Sequence, residues 1–64
     1  MFKVVEQLEK DNIILQLTDS DGAVVGGFNY RVSTSKMRDA KLLRKMLDRE
    51  CSLRNRKVER GGLQ

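Results

Sequence analysis

Sixty-four residues leave room for one domain with a small core. A chain of this length buries only about 60% of the surface it exposes when unfolded. With one Cys and no His, the composition excludes an intramolecular disulfide, a Cys/His zinc site and the Ser-His or Cys-His nucleophile pairs. The formal net charge of +4 is unevenly spread. In residues 1–30, Lys3 and Lys10 face Glu6, Glu9, Asp11, Asp19 and Asp21, whereas residues 31–64 are strongly basic. Such asymmetry points to a polyanion or an acidic partner, with simple solvation of a helix as the ordinary alternative.

With disulfide and metal excluded, a partner subunit is the remaining way to reinforce so small a core. A lone thiol suits a reducing compartment. Met1-Phe2-Lys3-Val4-Val5-Glu6 lacks the apolar run of a signal peptide. Apolar runs such as Ile13-Ile14-Leu15 are far short of the ~20 residues that span a bilayer. The expectation is a soluble cytoplasmic protein with no membrane contact.

In chain order, Phe2, Val4 and Leu8 share one face of a first strand over 2–8. The polar turn Glu9-Lys10-Asp11-Asn12 leads into a second strand over 12–18, with Ile13, Leu15 and Leu17 on one face. Asp19-Ser20-Asp21-Gly22 reads as a reverse turn, its side chains bonding their own backbone and Gly22 free to take positive φ. A calcium loop there would put Leu17 and Phe28 at ligand positions, so the turn reading stands. The third strand runs over 23–32 with Val24, Phe28, Tyr30 and Val32 in phase. Gly26-Gly27 inside it marks a bulge, since no Lys-Ser/Thr helix opening follows to make a phosphate loop. Phe28 and Tyr30 are placed as stacking platforms often are, though core packing is the better account of Phe28.

Ser33-Thr34-Ser35 offers N-caps for a helix over 35–54, extendable to 58 and ended by Gly61-Gly62. Met37, Ala40, Leu43, Leu47 and Cys51 form its core arc, where Cys51 is a small buried hydrophobe rather than a reactive thiol. The fold class is therefore α+β: a three-stranded antiparallel meander, one C-terminal amphipathic helix packed on it, and a basic tail. A single domain covers residues 1–60, with a flexible end over 61–64.

No paired acids in a pocket are legible, so neither an enzymatic activity nor a cofactor, metal or small-molecule substrate is expected. The chemistry lies in the cations. Arg38, Lys41, Lys45 and Arg49 recur at i+3 and i+4 spacing on one helical face, and Arg54, Arg56, Lys57 and Arg60 extend it. Such a stripe suits the phosphate backbone of DNA or RNA, where each neutralised phosphate releases a counterion. Leu42, Met46 and Leu53, joined by the stem of Arg49, form a second apolar stripe that the sheet cannot also cover. That stripe is expected to serve a homodimer. In a second reading the chain is a small inhibitor or adaptor of the kind found in phages and plasmids. It then docks an acidic protein through this stripe or a strand edge.

The Asp21-Gly22 turn, the strand after it and the helix opening Ser33-Thr34-Ser35-Lys36 resemble, in outline, the arm-type DNA-binding domains of tyrosine recombinases. The resemblance covers residues 13–50. It departs in the strands, which are basic in those domains and here carry Glu6, Gln16 and Asn29 with Lys3 and Arg31. It carries no residue role to this chain.

Overall fold

The computed structural model describes the backbone of residues 1–62 and the side chains of residues 1–58. Strands β1 (Lys3–Glu9), β2 (Asn12–Thr18) and β3 (Val24–Ser33) are followed by a 3₁₀ turn (Thr34–Lys36) and helix α1 (Met37–Gly62). The strands form the expected meander, antiparallel in the order β1-β2-β3. It is an open sheet with α1 on one face.

The first hairpin is tighter than the polar tetrad implied. Glu9 pairs with Asn12, leaving Lys10 and Asp11 as the turn. Lys10 sits at φ 53, in the left-handed region where an L-residue other than Gly, Asn or Asp is uncommon and strained. The second turn matches its reading. Asp19 Oδ1 accepts from the N–H groups of Asp21 (2.9 Å) and Ala23 (3.0 Å), and Gly22 takes φ 85.

Ile13, Leu15 and Leu17 of β2 face α1 and are buried, together with Val32, Ala40, Leu47 and Cys51. Leu15, Leu17 and Leu47 are fully sealed, at 0% exposure. Phe2, Val4, Val25, Phe28, Tyr30 and Leu43 close the margins. As the central strand, β2 is covered from both sides within the sheet, so Ile14 and Thr18 are also buried although they alternate to the far face.

Three expected core residues lie elsewhere. Val24 is exposed and Val25 packs on the core instead. The cause is the Gly26-Gly27 bulge. Gln16 pairs with Asn29 but Thr18 pairs with Val24, so β3 gains an odd number of residues and its side chains change face. Gly27 takes φ 86 there. Leu8 is 75% exposed because it lies on the edge strand β1, although its row neighbours Ile13 and Val32 are buried under α1. Met37, in the first turn of α1, is 50% exposed beside a groove rather than under the sheet.

Ser33 caps the helical segment, its Oγ accepting from Ser35 N–H at 3.3 Å. The helix then runs to Gly62, past the expected stop at 54 or 58. Arg, Lys, Asn and Glu from 54 to 60 cost little in helical backbone, and no proline intervenes. The basic residues expected as a tail therefore continue the helix. Of the expected flexible end, residues 63–64 lie outside the described residues.

Leu47 meets the sheet at full burial, so Leu47→Ala should cost about 3 kcal/mol. That approaches the whole reserve of a domain this small, about 3–5 kcal/mol. Urea unfolding followed by circular dichroism should show a transition that begins at or near zero denaturant, with about 0–2 kcal/mol of stability left.

Candidate nucleic-acid interface

Three sets of contacts fix how α1 is rotated against the sheet. At its C-terminal half, Asn55 Oδ1 accepts from Phe2 N–H at 2.7 Å, and Asn55 Nδ2 donates to Phe2 O at 3.2 Å. The Cys51 thiol donates to the same carbonyl at 3.2 Å. Cys51 is thus a buried structural residue that helps pin the start of β1.

Next to it, the Arg54 guanidinium lies 5.5 Å from the Phe2 ring centroid and 5.1 Å from that of Phe28. Its Nε also bonds Glu50 at 3.2 Å. Arg54, expected on the phosphate-contacting surface, is instead half-buried and holds β1, β3 and α1 together. Cation–π contacts of this kind contribute about 0.5–1 kcal/mol each at sites open to water.

At the N-terminal half, Arg44 bridges the layers, bonding Glu6 of β1 at 3.1 Å and Asp48 of its own helix at 3.2 Å. Partial desolvation opposes its charge, but hydrogen bonds and Coulomb attraction from Asp48 and Glu6 outweigh this and raise its pKa above the ordinary arginine value. Neither Arg44 nor Asn55 stood out in the sequence. The i+4 spacing of Arg44 and Asp48 was the available signal for one; nothing local marked the other, whose partner lies at the opposite end of the chain.

With α1 locked this way, Arg38, Lys45, Arg49 and Arg56 recur on the side turned away from the sheet, and Lys41 lies on the flank nearer β1. All five are exposed. At 1.5 Å per residue the row from Arg38 to Arg56 extends about 27 Å. Among the described residues, none of these cations has an ion-pair partner, nor has the exposed Lys57. Four acids are engaged elsewhere: Glu6 and Asp48 on Arg44, Glu50 on Arg54, and Glu9 on Arg31 at 3.7 Å. The Arg60 side chain lies outside the described residues.

Leu42, Met46 and Leu53 lie along the flank opposite Lys41 and are 64%, 48% and 46% exposed. Nothing among the described residues covers them. On the β1 flank a shallow groove lies between strand and helix, lined by Glu6, Met37, Lys41, Arg44 and Lys45. The far face of the sheet is mixed, Val5, Ile14 and Val24 lying among polar side chains, with Gln16 Nε2 donating to Asn29 Oδ1 at 3.2 Å. No described helix is long and apolar enough to cross a membrane. A scan of protein-family models and searches of curated proteins and of solved structures find no match to this chain.

The Asn55 clasp is the most local determinant of the helix setting. Asn55→Ala removes both bonds to Phe2 and should lower stability by about 1–2 kcal/mol. Urea titration should register that loss, together with faster amide exchange in the last turns of α1.

Proposed function

We propose that this protein is a small non-enzymatic nucleic-acid-binding accessory or regulatory protein, acting in the cytoplasm. The outer face of its helix contacts the phosphate backbone. One observation carries the reading: the chain neutralises Arg31, Arg44 and Arg54 with its own carboxylates, yet leaves the row from Arg38 to Arg56 unpaired among the described residues. A helix that merely needed solvation gains from i+4 ion pairs, and among the described residues this one makes them only on its flanks. An unneutralised row about 27 Å long matches several phosphates spaced at 3.4 Å of axial rise per strand. In this reading Arg38, Lys41, Lys45, Arg49 and Arg56 supply the contacts, with Lys57 and Arg60 extending them. Arg54 acts indirectly, by holding the helix in place. No set of Asn, Gln or Arg side chains is arrayed to read base edges, so the affinity is mainly backbone-directed.

A second reading rests on a different observation, the exposure of Leu42, Met46 and Leu53 beside those cations. An apolar strip rimmed by positive charge suits an acidic protein partner, as in a small inhibitor or adaptor.

Fluorescence anisotropy with labelled duplex DNA, single-stranded DNA and RNA separates the two. Phosphate contact predicts micromolar or tighter binding with a log-log salt slope of about −4 or steeper. The Lys41→Glu/Lys45→Glu variant should lose that binding, and Met46→Asp should retain it. Unchanged affinity in the charge-reversed variant would contradict the proposal.

A further inference from the structure

We infer that the free edge of β1 is a self-association surface, and that its occupant is β1 of a second copy of this chain. Among the described residues, β1 has a strand on one side only. An unpaired strand edge offers a row of backbone donors and acceptors to another strand, and proteins usually blunt such an edge with a bulge, a proline, charged side chains or a covering element; on β1 the charges Lys3, Glu6 and Glu9 are what a second copy must satisfy. The other edge, β3, is blunted in this way by its bulge at Gly26-Gly27. By contrast β1 is regular over its 7 residues, pairing with β2 without interruption.

Its sequence is also complementary to itself. In the antiparallel register that pairs the whole strand, Lys3 stands opposite the partner's Glu9, Val4 opposite the partner's Leu8, and Val5 opposite the partner's Gln7. Both ends then carry opposite charges, each such cross-strand pair being favourable. Leu8, 75% exposed and paired with Ile13 on one side only in the monomer, gains a second apolar neighbour on its free side. The one unfavourable pair is Glu6 against the partner's Glu6 at the two-fold axis. There each carboxylate contacts Arg44 at 3.1 Å, a guanidinium it shares with Asp48, so the repulsion at the axis is reduced rather than removed.

The helix stripe is less suited to a second copy. Arg49 interrupts Leu42, Met46 and Leu53, and Arg38, Lys45 and Arg56 flank them, so joining two stripes brings like charges together. Paired residues share a face of a sheet, so the β1 register yields one continuous sheet with both helices on the same side. The pairing is independent of nucleic-acid binding and is tested on the protein alone.

Sedimentation equilibrium of the full chain up to millimolar concentration is the measurement. The wild-type chain should dimerise. Lys3→Glu or Glu9→Lys, each placing two like-charge pairs across the axis, should weaken association about tenfold, and the combined Lys3→Glu/Glu9→Lys variant should restore it to within about twofold. Both positions are exposed, and circular dichroism checks that the variants fold. Glu6→Cys, placed on the axis, should oxidise to a covalent dimer. A monomer at every concentration overturns the inference. So does a dimer indifferent to the single charge reversals, or one dissociated by Met46→Asp instead.

Discussion

Leu47 on the helix and Leu15 and Leu17 on the central strand are the fully sealed side chains, and the rest of the molecule depends on their packing. A sheet of three strands has two faces, but a chain of 64 residues supplies one helix to cover one of them. Apart from Ile14, screened within the sheet on the far face, the buried apolar side chains among the described residues meet along a single interface. The margins of that interface are therefore closed by mixed contacts rather than more hydrocarbon: Arg54 over two aromatic rings, Asn55 clasping Phe2, and Arg44 bridging to Glu6. Long side chains bury their stems while the charged heads stay near water, which lets a small core extend its edge at modest cost.

These marginal contacts also set the electrostatics. Two of them use a cation at the helix flanks, and Glu6, Asp48 and Glu50 are taken up there. Most of the cations left over stand opposite the core, on a helical sector that the fold turns to solvent. A positive outer face is thus a consequence of how the helix is held as much as of its composition. Charges on one such surface attract polyanions in a manner that salt weakens.

Much of this architecture was legible from residue order. Ile13, Leu15 and Leu17 alternate in phase, and Asp19 to Gly22 have the chemistry of the turn they make, so the second strand and its exit were readable to the residue. Gly26-Gly27 announced a bulge but not its size, and the odd number of inserted residues is what exchanged Val24 for Val25 in the core. Leu8 and Met37 had the right periodicity and the wrong location, since periodicity does not say how far a helix reaches over an edge strand. At the candidate interface the row Arg38, Lys41, Lys45 and Arg49 could be read from helical spacing alone. Arg54 could not be told from its neighbours, because its partners Phe2 and Phe28 are distant in sequence.

The proposed polyanion contact lies on the outer face of α1 rather than on the open face of the sheet. A titration of the ¹⁵N-labelled protein with a short oligonucleotide, followed in ¹H–¹⁵N correlation spectra, tests this residue by residue. The predicted result is that shifts concentrate along α1 at Arg38, Lys41, Lys45, Arg49 and Arg56, while Val5, Gln16 and Asn29 on the open sheet face stay in place. Shifts confined to those sheet residues, with the helix silent, would contradict it.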